Sequence, residues 1–158
     1  MTEQDLGALT LVAGRHVVQV RVDRSGPRSM VVSVEVDYQR AWLFEEPGWQ
    51  DLAYGISGGV VYWWSARHLV IVPVEPQGDP KVIPTNEDIH LVFAVDNGWL
   101  LVCESSVRLF ADFKEISRLE FGEVVTTARW DDSHLVIGNA DGRDVTVTVS
   151  DDDLIASD

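Results

Sequence analysis

"ARWDDSHLVIGNADGRDVTVTV", residues 128–149, decides how this chain is to be read. Trp130 closes a lead segment, "DDS" is a polar turn, "HLVIGNA" is an apolar run, and "DVTVTV" alternates strictly after a second turn. Period-two alternation is the mark of a strand with one face buried. Asp141-Gly142 supplies the positive φ that a tight hairpin turn requires. The same turn places acceptors at Asn139, Asp141 and Asp144, a partial likeness to a calcium loop. Such a loop wants a fuller run of oxygens and a downstream Glu, whereas position 150 is Ser, so the stretch reads as a hairpin.

Working upstream, related patterns recur. "LAYGISGG" (52–59) aligns without gaps to "LVFAVDNG" (91–98), an offset of 39 residues. Each is followed by an apolar strand, "VVYWWSA" (60–66) or "WLLVCES" (99–105), and then by a third, "HLVIVPV" (68–74) or "SVRLFAD" (106–112). A fourth segment follows in each, "KVIP" (81–84) or "ISRLEF" (116–121). The opening stretch supplies a shorter copy: 126–133, 134–140 and 144–149. Spacing near 40 residues with several short strands per unit is the pattern of a propeller-type array. Near the N-terminus "VVQVRV" (17–22) places Val18, Val20 and Val22 on one face, and "VVSVEV" (31–36) does the same with Val32, Val34 and Val36. With the turn cluster "RSGPR" (24–28) between them they form a hairpin, and "PGW" (47–49) ends this N-terminal unit.

The stretch "VVTTARWDDSHLVIGNADGRDVTVTVS" (124–150) resembles a WD40-type or related β-propeller repeat, although the Gly-His signature is absent and Trp130-Asp131 stands at the end of the lead strand. The resemblance implies a four-stranded blade. The expected fold is therefore all-β: a partial propeller-like array of three to four antiparallel blades, with a β-sandwich or barrel as the alternative. A length of 158 residues suits a single domain. Its parts are a hairpin unit over 1–50, repeat units at about 52–87, 88–123 and 124–150, and an acidic tail, 151–158, read as a helical turn or frayed end. "FADFKEISRLEF" (110–121) carries apolar residues at spacings of three, which would suit a helix, but the repeat favours strand there.

Charge narrows the partners. The net charge is −14, and residues 1–40 hold five basic and five acidic side chains, so the whole excess lies beyond residue 40. Such a field repels nucleic acid and anionic membrane and attracts basic partners; it also serves solubility. No apolar run reaches the roughly 18 residues of a membrane span. Glu3 and Asp5 stand where a signal peptide would want a base, and Cys103 is the one cysteine, so the expected location is cytoplasmic.

Catalytic patterns are missing from the sequence. His16, His68, His90 and His134 are too far apart for a local metal pair. His68 and His134 each precede an apolar strand, a repeated structural position. "GISGG" (55–59) lies between strands, where it reads as a turn rather than a phosphate cradle. No G-x-S-x-G or P-loop is present. The sequence thus nominates no catalytic, cofactor-binding or metal-ligating residue. It nominates partner-binding ones: Glu45 and Glu46 beside Trp49, the neighbouring Trp63 and Trp64, and Asp131 and Asp132. Six tryptophans make an aromatic patch a natural anchor, and in "YWWS" adjacent rings must face opposite sides of a strand.

Three functions fit. The first is a non-enzymatic module whose acidic surface docks a basic protein, as an immunity-type inhibitor of a basic toxin or nuclease does. The second is a homo-oligomeric scaffold in which partial propellers close edge to edge. The third is a glycan-binding or glycan-cleaving β protein built on tryptophans and carboxylates.

Overall fold

The computed structural model describes residues 5–47, 53–96, 98–131, 133–150 and 152–157. Among these there are sixteen β-strands and no helix, arranged as four four-stranded sheets with the strands of each in chain order. Sheet 1 comprises β1 (Asp5–Ala13), β2 (His16–Gly26), β3 (Ser29–Val36) and β4 (Gln39–Pro47). Sheet 2 comprises β5 (Ala53–Ser57), β6 (Val60–Trp64), β7 (His68–Pro73) and β8 (Lys81–Pro84). Sheet 3 is β9 (Ile89–Val95), β10 (Gly98–Cys103), β11 (Ser106–Ala111) and β12 (Lys114–Glu120). Sheet 4 is β13 (Val125–Asp131), β14 (His134–Asn139), β15 (Asp144–Val149) and β16 (Leu154–Ser157). Two compact units divide them: unit 1, Met1–Ser65 with Leu69–Val82, and unit 2, Ala66–His68 with Ile83–Asp158.

Turn chemistry sets the register. Ser57 pairs with Val60 across Gly58 and Gly59, whose φ angles are 52° and 80°. A Cβ on Gly59 would sit 2.6 Å from the backbone oxygen of Glu75, so only glycine fits there. Sheets 1 and 3 share a different device between their third and fourth strands. Asp37-Tyr38 (φ 51° and 66°) and Asp112-Phe113 (φ 49° and 63°) turn the chain with two successive left-handed residues. Asp tolerates that region; an aromatic does so only under strain.

Each unit has its own core. In unit 1, Val18, Val20, Val32 and Val34 of sheet 1 cluster with Val61, Trp63, Val70 and Val72 of sheet 2. In unit 2, Leu100, Val102, Val107 and Leu109 of sheet 3 cluster with Leu135, Ile137, Val147 and Leu154 of sheet 4. Each such side chain contributes roughly 1.5–3 kcal/mol through burial. The predicted hairpin pairs as expected, with Val20 opposite Val34 and Val22 opposite Val32.

Several expectations change. The N-terminal unit is more than a hairpin: β1 and β4 flank it and make a complete fourth sheet. The sandwich and barrel alternatives fall, because the strands divide into four separate sheets. Over 110–121 the strand reading holds against the helical spacing, as β11, a tight turn and β12. The tail is neither helical nor frayed over Leu154–Ser157, which pairs with β15 as β16. Its anchor is remote in sequence: the Leu154 amide donates to Ser117 Oγ at 3.1 Å, and Ser117 Oγ donates to Asp153 Oδ1 at 2.8 Å. His68 and His134 are not equivalent, since one opens the third strand of its sheet and the other the second. The counterpart of His134 is His16, which also opens a second strand.

Candidate interaction surface

The nominated residues separate. On β4, Glu45 is exposed opposite Val31, whereas Glu46, one residue on and therefore on the other face, is buried at 1%. Trp63 is buried at 1% and meets Phe44 edge to face, with centroids 5.2 Å apart. Glu46 and Trp63 therefore present no surface to a partner. Trp64 points to the opposite face, half-buried, and stacks on Tyr62 at 6.2 Å and 15°. Asp131 is exposed at the end of β13, in the other unit. Trp49 and Asp132 lie outside the described residues.

A side chain not nominated from sequence stands out. Trp130, on edge strand β13, is 37% exposed and packs edge to face on Phe93, with centroids 5.4 Å apart and planes at 79°. It borders a cleft of about 360 Å³ between sheets 3 and 4 within unit 2. The buried Leu109 and Phe110 line it, and so do the exposed Asp96, Trp130, Ser133 and Ser150. Among the described residues that line it, Asp96 is the one ionisable side chain. The signal was present in "TTARWDD": alternation on an edge strand that ends in a large aromatic beside acids.

A second groove, about 640 Å³, is lined by Glu120, Glu123, Asp141 and Asp144 together with Arg143. Here the turn of the opening sequence is seen at work. Gly142 has φ 84°, the Arg143 amide donates to Asp141 Oδ1 at 3.1 Å, and the Asn139 amide donates to the Arg143 carbonyl at 3.0 Å. Among the described residues no three or more His, Cys, Asp or Glu side chains are grouped so as to hold a metal ion.

The densest polar cluster is internal. Arg108, 5% exposed, donates from Nη2 to Asn86 Oδ1 at 2.6 Å and from Nε to Ser106 Oγ at 3.0 Å, with Glu87 Oε1 3.1 Å from Nη2. Glu87 accepts from the hydroxyls of Ser105 and Ser106. Burial pushes the Glu87 carboxyl up, but the two hydroxyls and the Arg108 guanidinium outweigh it and hold the group below its ordinary value. These contacts fasten the segment before β9 onto the β10–β11 turn. Cys103 nearby is fully buried, and that burial pushes its thiol up to about 12. It is a packing residue and not a nucleophile at neutral pH. His16 and His134 serve their hairpins: His16 Nδ1 lies 2.6 Å from Asp37 Oδ2, and His134 Nδ1 lies 3.2 Å from Thr148 Oγ1. The hydrogen bonds from His16 and from the Val17 amide hold the Asp37 carboxyl below its usual range.

No family model matches the chain, and no curated protein is similar to it. Solved structures are. The chain is similar to BBS1N in complex with ARL6DN, at TM-score 0.58 and 8% identity, over 97% of this chain and 54% of that one. The AfRom2 CNH domain matches at TM-score 0.58 and 7% identity, over 99% and 56%. Hsv2 of Kluyveromyces lactis matches at 0.54 and 11%, over 96% and 47%. These neighbours are WD40- or β-propeller-type proteins, and the fold of this chain is of the β-propeller type. The chain spans about half the length of the structures it matches.

Proposed function

We propose that the protein is a non-enzymatic interaction module whose partner is a basic protein. One observation carries the reading: unit 2 holds 16 acidic against six basic side chains, a net of −10, whereas unit 1 holds ten against six. Its carboxylates at Glu104, Asp112, Glu123, Asp131, Asp141 and Asp144 are exposed. A field of one sign accelerates and orients the approach of an oppositely charged protein. The propeller-type neighbours support the reading in kind, since one of them, BBS1N, is seen in complex with ARL6DN. Inhibition of a basic toxin or nuclease in the manner of an immunity protein is one particular case, with the cytoplasm as its setting.

The experiment is capture of host proteins on the immobilised chain at two ionic strengths. Raising salt from about 0.1 M to about 1 M shortens the Debye length from roughly 10 to 3 Å. The expected bound set is basic and is released at the higher salt. A set that is neutral or acidic, or that stays bound, overturns the reading.

The scaffold hypothesis turns on the two outward sheet faces. The face of sheet 1 turned away from its core carries Gln19, Arg21, Ser33 and Glu35, and that of sheet 4 carries Arg129, His134, Thr146 and Thr148. Val31 and the exposed Leu43 share the first of these faces and Val136 the second, so polar groups predominate on both without making either wholly polar.

A further inference from the structure

We infer that the cleft beside Trp130 is the seat of a lysine or arginine side chain from an extended segment of the basic partner, an inference that rests on the reading above and gives it a location. A long basic side chain needs two things at once: apolar walls for its methylene stem and an anionic or π-electron partner for its head. The cleft supplies both. Ile116, 40% exposed, offers an accessible aliphatic side chain; Val95 is half-buried, and Leu109 and Phe110 line the cleft from buried positions. Trp130 offers 37% of its surface, and Asp96, which lines the same cleft, is exposed. Among the described lining residues no base is present to repel a cation.

Its size fits as well. About 360 Å³ lies at the lower end of the roughly 300–1,000 Å³ range of ligand pockets, room for one side chain rather than a folded element. The ring is also braced. Trp130 rests on Phe93 at 5.4 Å, and its backbone is paired to Leu135, which is fully buried. A ring held in this way loses little conformational freedom when a cation settles on it. Charge complementarity chooses the occupant: in a unit of net −10, a cationic head gains from the whole field, while a neutral ligand gains from the walls alone.

The test uses a fluorescein-labelled lysine nonapeptide, the same peptide with every lysine acetylated, and maltohexaose. Binding is read by anisotropy at low salt and by the ¹H–¹⁵N map of the protein. The lysine peptide is expected to shift the Trp130 indole N–H and the amides of Ala94 and Ala111, residues that line the cleft, and the acetylated peptide is not. Asp96→Asn and Trp130→Ala are each expected to raise Kd about five- to tenfold, and Glu123→Gln, in the second groove, less than about twofold. Because the map is recorded on the unmodified protein, the inference stays testable even if Trp130→Ala disturbs the packing on Phe93. Equal losses for Asp96→Asn and Glu123→Gln, or shifts centred on Gly122 and Asn139, overturn the cleft and leave the acidic module standing. Shifts in the cleft produced by maltohexaose overturn it in favour of a glycan. No binding of the lysine peptide at low salt overturns both.

Discussion

Sheets 1 and 3 are built on one plan, and their difference lies in a single row. Both join their third and fourth strands through a left-handed Asp-aromatic turn. Four residues before that turn, sheet 1 places Ser33 opposite Arg21, and sheet 3 places Arg108 opposite Leu101. Arg21 is exposed; Leu101 is fully buried and Arg108 nearly so. The strands around them follow suit. β2 and β3 alternate between buried and accessible residues over Val18–Val20 and Met30–Val34, whereas all five residues 106–110 of β11 are buried. The comparison teaches that a charge is tolerated at this row in two ways. It is left in water, as at Arg21, or enclosed with acceptors, as Arg108 is with Asn86, Glu87 and Ser106.

The largest effect should come from breaking the enclosed version. Arg108→Met takes the cation from Glu87, leaving it the two serine hydroxyls, and is expected to cost about 2–3 kcal/mol in urea unfolding. Adding Glu87→Gln should recover part of that loss, which a double-mutant cycle measures. The same pair sets a pH dependence. Glu87 is held below its ordinary carboxylate value of 4.5, so its contribution is present above that value and fades as the pH falls through its lower folded one. The stability gap between the native protein and Glu87→Gln should therefore close on acidification below about pH 4.5. A smaller effect, of opposite sign, belongs to the shared turn. Tyr38→Gly and Phe113→Gly relieve a strained φ at exposed positions and are expected to stabilise by about 1 kcal/mol each, read as a rise in Tm. Smallest of all is Arg21→Met, within about 0.5 kcal/mol. A large loss there would show that the row is enclosed in both sheets and would end the comparison.

Strands and turns were legible because their causes are local. Alternation in "VVQVRV", the glycine pair at 58–59 and Asp141-Gly142 each act over a few residues. The four segments picked out in each of 52–87 and 88–123 are local for the same reason, and each set includes the strands of one sheet. The divergence of Trp63 from Trp64 was also legible from period two, but which of them is enclosed was not, since neighbours on both sides are apolar. Glu46 shares the face of β4 that carries Phe44 toward the core, a burial that its own sequence neighbours do not announce. β16 was missed because four residues carry too little pattern and its anchor, Ser117, lies 37 residues away. The cleft escaped notice because its walls come from five strands and Trp130 served in the sequence as punctuation for a motif.

Cys103 has a practical sequel. As the one cysteine of the chain, fully enclosed and with its thiol pushed up to about 12, it leaves the native protein inert to maleimide reagents at neutral pH. A cysteine introduced at Ser133, an exposed residue lining the cleft, would be the sole labelled position. A solvent-sensitive dye attached there turns the molecule into its own gauge of occupancy, with no native thiol to mask.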